Sequence, residues 1–168
     1  ASSRVFFDPE KDPITEKAVR IGDTRFFVSV AGIVHPVGVS GPELRFDPAW
    51  ALLTEEDRAA SWLVGGMQNL AVHEKRGLLY ALMHQGGPGT RKDPGTEVWV
   101  FDVSSQKRVA RIALKSPATS IQVTPDDEPL LLTAFLYETA LQVYDARSGQ
   151  HLRTIPQLGE TPTLIHTN

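Results

Sequence analysis

Five histidines, a glycine-rich basic loop and scattered carboxylates are the residues whose types could support chemistry. His35, His73, His84, His151 and His166 contain no pair at the i, i+3 or i, i+4 spacing that sets two imidazoles on one helical face. None stands in an H-x-x-E pattern either, so they do not read as a metal site. His84 opens a long loop and is the one placed to line a pocket; the plainer reading is a strand-end histidine satisfied by backbone. Gly86-Gly87-Pro88-Gly89-Thr90-Arg91-Lys92 has the glycines and cations of a phosphate loop. It lacks the G-x-x-x-x-G-K-[ST] spacing, and proline donates no N–H to an anion, so it reads as a hairpin loop. Asp126-Asp127-Glu128 reads as a solvated turn, and no Gly-x-Ser-x-Gly elbow is present. The sequence therefore predicts no catalytic, cofactor-binding or metal-binding residue in this chain.

Composition narrows the classes further. The 168 residues are one domain's worth, with 41% hydrophobic and 22% charged residues, which excludes a disordered or low-complexity chain. A net charge of −3 leaves no surplus of cations for nucleic acid. With no cysteine there is no disulfide, thiolate nucleophile or cysteine-based metal site, while the compartment stays open. No apolar run is long enough for a membrane-spanning helix. The start, Ala1-Ser2-Ser3-Arg4, has neither an initiator Met nor an apolar signal core, which predicts a processed, trimmed or partial chain.

The elements that position these residues are set by a repeat. Val100-Phe101-Asp102-Val103 through Ile112 matches Val143-Tyr144-Asp145-Ala146 through Ile155 at an offset of 43 residues. Each copy reads as strand, tight turn and return strand, with the Asp accepting hydrogen bonds from N–H groups of its turn. Two strand-like runs precede each copy, at 69–73 and 78–84 and at 120–124 and 130–136. Four short strands per 40–45 residues is the signature of β-propeller blades, which must stack to bury their faces. A partial copy, with strands at 25–31 and 33–39, puts Val37-Gly38-Val39-Ser40-Gly41 where the Asp turn stands later. Residues 161–166 read as the first strand of another blade.

The predicted fold is therefore all-β: about three blades of a propeller, too few to close a ring alone. Its parts are a blade remnant at 1–48, a helical insertion at 49–67, full blades at 68–115 and 116–158, and a further first strand at 159–168. The helix is predicted over 53–62, with Thr54 as N-cap, acidic residues in its first turn and Gly65-Gly66 at its end. Trp99, Phe101 and Tyr144 read as inter-blade core. Trp50 and Trp62 bracket the apolar insertion, which either its own propeller or a partner must cover. Trp62, Leu63, Met67 and Gln68 are the predicted partner-interface residues. A second long loop spans 85–95, and loops on a rigid scaffold are where binding specificity usually resides.

Leu53-Thr54-Glu55-Glu56-Asp57-Arg58-Ala59-Ala60-Ser61-Trp62, followed by Gly65-Gly66-Met67-Gln68-Asn69-Leu70-Ala71-Val72-His73, resembles a stretch of the heavy subunit of quinoprotein amine dehydrogenases. In that family it is a helix, a Gly-Gly pair and an x-Ala-x-His strand. Residues 89–102 with 106–112 are most similar to the aromatic amine dehydrogenase branch, and the methylamine dehydrogenase branch is the near neighbour. The resemblance covers most of residues 25–165. Where the family has Trp-Arg-Pro, this chain has Trp62-Leu63-Val64.

The resemblance implies the C-terminal part of a seven-bladed propeller, about half of a heavy subunit, in a periplasmic assembly of two heavy and two light chains. It implies that the light subunit carries tryptophan tryptophylquinone and that this chain carries no cofactor. Primary amines are then oxidised to aldehyde and ammonia, with electrons passing to a blue copper protein. Family members line the substrate channel with a phenylalanine of the N-terminal half, so no residue here takes that role. The ring is completed by the N-terminal part of the heavy subunit or by a second copy. The rival expectation is a stand-alone YVTN-like propeller module that binds a protein or peptide through its two long loops.

Overall fold

Leu78-Leu79-Tyr80-Ala81-Leu82-Met83 has no polar break, the pattern of a strand covered on both faces. A computed structural model describes residues 18–87 and 89–159 and sets this strand in the middle of three antiparallel sheets. The first sheet contains β1 (Val19–Ile21), β2 (Thr24–Val28), β3 (Ile33–Ser40) and β4 (Glu43–Phe46), and β5 (Trp50–Ala51) also pairs with β3. In the second, β6 (Trp62–Val64) and β7 (Leu70–His73) both pair with β8 (Leu78–Gln85), followed by β9 (Gly95–Asp102) and β10 (Lys107–Ala118). The third runs in chain order through β11 (Ser120–Val123), β12 (Leu130–Ala134), β13 (Leu141–Asp145) and β14 (His151–Ile155). This is the all-β, blade-by-blade architecture that the repeat predicts.

Strand alternation divides the interior in two. Leu79, Ala81, Met83, Trp99 and Phe101 face the first sheet and pack with Phe26, Val28 and Val34. Their neighbours Tyr80, Leu82, Val98 and Val100 face the third sheet and pack with Ile121, Leu131 and Tyr144. Trp99, Phe101 and Tyr144 are buried between sheets, as expected.

The 43-residue repeat is reproduced down to single pairs. Asp102 lies opposite Leu78 and Asp145 opposite Leu130, each beside the first residue of the neighbouring strand. Asp102 accepts from the N–H groups of Ser104 and Ser105, and Asp145 from those of Arg147 and Ser148. These bonds hold both carboxyls below their ordinary range: for Asp102 the Ser104 side chain leads, for Asp145 the Ser148 N–H. Val109 and Leu152, again 43 apart, are each the extra residue of a β-bulge, which leaves both side chains exposed. In the first sheet the corresponding hairpin turns at Gly41, with φ +57°, and pairs Ser40 with Glu43.

Three details differ from the sequence reading. The helix, α1, is only Glu55–Ala59: its Thr54 cap is as predicted, but it is stopped by Ser61 at φ +62° before Gly65-Gly66. Trp62–Val64, assigned to the helical insertion, is a strand, because β8 runs four residues past its last pair with β7, at Ala81, and β6 pairs with Met83, His84 and Gln85. β10 extends the second sheet to Ala118, and the predicted strand at 161–166 lies outside the described residues.

Short turns on one rim are bridged from sheet to sheet. Gly22 N donates to Glu74 Oε1 at 2.9 Å, and Arg76 Nη2 to the Asp127 carbonyl at 2.6 Å. His73, fully buried, accepts from Arg76 N on Nδ1 at 3.3 Å and has Nε2 2.8 Å from the Asp126 carbonyl oxygen. A carbonyl only accepts, so the proton of the neutral ring must sit on Nε2. Long-range nitrogen–proton NMR should show His73 as the Nε2–H tautomer. His73→Leu removes from a buried side chain its bonds to the Asp126 carbonyl and the Arg76 N–H, and should cost about 1–3 kcal/mol in urea unfolding; a Nδ1–H signal or unchanged stability would contradict this joint.

Candidate functional site

The crossover from the first to the second sheet, residues 52–69, carries all four predicted interface residues, and the fold treats them differently. Trp62 is 8% exposed and its ring lies 5.0 Å from that of Trp99. Leu63 is half-buried opposite His84, and Gln68 is buried. Met67 alone projects into solvent, at 62% exposure. Gly66, Met67 and Gln68 form three successive left-handed residues, at φ +57°, +60° and +59°. Gly66 is required there on packing as well: a Cβ would meet Leu82 at 2.8 Å and the Thr119 carbonyl at 3.0 Å.

Four charged side chains clamp this crossover to the β9–β10 hairpin. Asp57, at the third position of α1, takes the Thr54 N–H at 2.9 Å and Arg108 Nη1 at 2.9 and 3.0 Å. The Arg108 guanidinium lies 4.2 Å over Trp99. Arg111 lies 4.8 Å from Trp99 and 5.0 Å from Trp62, and grips Glu97 through two bonds of 2.8 and 2.9 Å. Glu97 also accepts from Trp99 Nε1 at 2.7 Å. The tryptophan pair is thus covered by two cations, each neutralised by its own carboxylate. Burial pushes both carboxyls up, but the Thr54 N–H and Arg108 hold Asp57 below its ordinary range. Arg111 and the Trp99 N–H do the same for Glu97. The sequence reading did not identify this cluster; its signal was Glu97-x-Trp99 facing Arg108-x-x-Arg111 across one hairpin.

The loop after β8 closes on itself. Thr90 Oγ1 donates to the Gly87 carbonyl at 2.7 Å and accepts from His84 Nε2 at 2.8 Å, so His84 braces the loop from beneath. Gly86 N and Thr90 N bond to the carbonyls of Ser61 and Gly87, which engages donors a phosphate would need. The loop in turn supports the crossover, with Gly66 N bonded to Asp93 O and Met67 N to Arg91 O, both at 2.9 Å. His151 bonds Gln142 at 2.8 Å. His166 lies outside the described residues. Among the described residues no group of three His, Asp or Glu side chains is placed to hold a metal ion, and no helix is long and apolar enough to cross a membrane.

Comparison with known proteins places these features in a family. Residues 3–168 match the model for the methylamine dehydrogenase heavy chain. The methylamine dehydrogenase heavy chain of Methylophilus methylotrophus is 38% identical over 114 residues, which are 68% of this chain and 28% of that protein. That of Paracoccus versutus is 35% identical over 116 residues, 69% of this chain and 27% of that protein. The aligned stretch thus covers little more than a quarter of either relative. Hydrazine synthase of Kuenenia stuttgartiensis shares the fold alone, with a TM-score of 0.54 at 16% identity over 84% of this chain and 34% of its own.

Arg108→Met should cost about 2 kcal/mol or more in denaturant unfolding, because it leaves Asp57 largely buried without its cation. A carboxyl held low in the folded state contributes above its unfolded pKa, near 4, and loses that contribution as pH falls through its folded value. The gap between parent and variant should therefore narrow as pH falls below about 4; a gap independent of pH would assign Arg108 to packing over Trp99 alone.

Proposed function

The chain belongs to the methylamine dehydrogenase heavy chain family, and we propose that it is a non-catalytic scaffold segment of a periplasmic amine dehydrogenase. In this reading it supports a light subunit whose tryptophan tryptophylquinone oxidises primary amines to aldehyde and ammonia, and a blue copper protein takes the electrons. The family match over 3–168 carries the reading. Two structural features support it. The reactive side chains singled out in the sequence are engaged in holding turns and loops, as for Asp102, Asp145, His73 and His84. The outward faces of the end sheets also carry apolar side chains, Leu44 and Phe46 on the first and Leu132, Leu141 and Ile155 on the third. Further blades of a ring would cover such faces.

The similarity of residues 89–102 to the aromatic branch supports an aromatic amine, and the named relatives support methylamine, so the test uses both. Native mass spectrometry of the complex from its source, with an absorption spectrum, should show a small chromophoric chain bound to the heavy chain. Adding methylamine or 2-phenylethylamine should bleach the chromophore, and the faster substrate identifies the branch. A colourless assembly without a light chain would overturn the reading in favour of a stand-alone binding propeller.

A further inference from the structure

The repeat departs from itself just after its aspartate. Val103 and Ser104 follow Asp102, whereas Ala146 and Arg147 follow Asp145. Val103 packs against the core between the first and second sheets. Ala146 packs in the core between the second and third, with a smaller side chain. In that second joint a cleft of about 210 Å³ opens, with Arg76, Tyr80, Val109, Ala110, Ala146 and Arg147 in its lining.

The polar groups of this lining are donors. Tyr80 is 1% exposed, and among the described residues its hydroxyl makes no hydrogen bond. A phenol buried this deeply ordinarily has a partner. Burial is the main cause that pushes the Tyr80 phenol above its ordinary range, so it keeps its proton; Arg76 opposes the shift and Asp145 adds to it. Those two charges stand on the turns that flank the cleft. Arg76 commits Nη2 to the Asp127 carbonyl at 2.6 Å, and a guanidinium has further N–H groups to give. Arg147 Nη2 is 3.6 Å from both Asp145 Oδ2 and Glu128 Oε1, too far for a hydrogen bond. Asp145 Oδ1 is occupied by the N–H groups of its own turn, and the Glu128 side chain stands in water. Two cations thus meet one fixed carboxylate, which leaves the cleft short of a single negative charge.

We propose that the cleft between the second and third sheets binds a small free monocarboxylate. Its carboxylate would take hydrogen bonds from Tyr80, Arg76 and Arg147, and its short alkyl chain would lie against Val109, Ala110 and Ala146. Guanidinium groups suit a carboxylate in geometry as well as charge. A dianion such as phosphate would overshoot the charge and leave the apolar side of the lining without a partner. Both walls belong to this chain, so the site is independent of the amine dehydrogenase reading.

The test uses the full heavy chain, with butyrate as the probe and inorganic phosphate and butylamine as counter-probes. Saturation-transfer NMR and calorimetric titration read binding, and melting is followed in parallel. Butyrate should bind, phosphate about tenfold or more weaker, and butylamine not at all. Arg147→Ser and Ala146→Val install the side chains that the second sheet already carries at these positions, so both should melt like the parent. Each should nevertheless weaken butyrate binding about tenfold or more, the first by removing a cation and the second by filling the cleft. Tyr80→Phe should weaken it about fivefold. A parent that binds no butyrate overturns the site and leaves the cleft to water. Phosphate bound as tightly as butyrate overturns it too, as does butyrate binding that stays within about twofold of the parent in both repeat-derived variants. Affinity that falls only together with melting also counts against the site.

Discussion

A β-sheet with two apolar faces cannot exist alone in water, and the second sheet here is such a sheet. Trp99 and Phe101 point one way, Val98 and Val100 the other, and all four are buried. Each large side chain among them would forfeit about 1.5–3 kcal/mol if its face were left in water. The first and third sheets are therefore conditions for the second, and their positions follow from it. The turns tied across the short-turn rim hold the sheets in the stacking that the two cores demand. His73 is the clearest case, since it closes one turn through Arg76 N and touches the next sheet through the Asp126 carbonyl.

Local signals carried most of the architecture. The 43-residue offset between Asp102 and Asp145 located two hairpins, and their hydrogen-bonded turns are local chemistry that a sequence displays directly. The same offset holds for Val109 and Leu152, but a bulge residue is invisible until the register across the ladder is known. Thr54 was legible as a cap because its partner Asp57 is three residues away. The end of α1 was not, because Ser61 turns left-handed to deliver Trp62 to a strand that pairs with residues 83–85. The clamp around the tryptophans was hidden for a similar reason: Asp57 and Arg108 are 51 residues apart and meet only through packing.

The four predicted interface residues show where a sequence argument can blur. Tryptophan and methionine in an apolar insertion around a short charged helix look alike as interface anchors, and only a fold separates them. Trp62 stacks on Trp99 beneath Arg111, where its area stabilises the crossover. Gln68 turns inward, and Met67 between two left-handed neighbours turns out. Burial and exposure thus alternate within a few residues, so one segment anchors to its own sheet and presents a side chain beyond it.

Chain length bears on the same point. From the second to the third sheet, β10 leaves its ladder after Ala113, rejoins it at Ala118 and enters β11 at Ser120, so about half a dozen residues make the crossing. At roughly 3.3 Å per extended residue that is about 20 Å, enough to pass from the outer to the inner strand of adjacent blades. From the first to the second sheet the equivalent path occupies residues 47–69. Connectivity does not ask for that surplus. The surplus contains α1, the tryptophan beneath its cations and the left-handed turn that exposes Met67. The ionic clamp fixes the crossover at the β9–β10 hairpin, and the 86–94 loop supports its far end through Arg91 and Asp93. A segment longer than its topological task is thus held at both ends by this chain's own contacts, with Met67 left exposed between them.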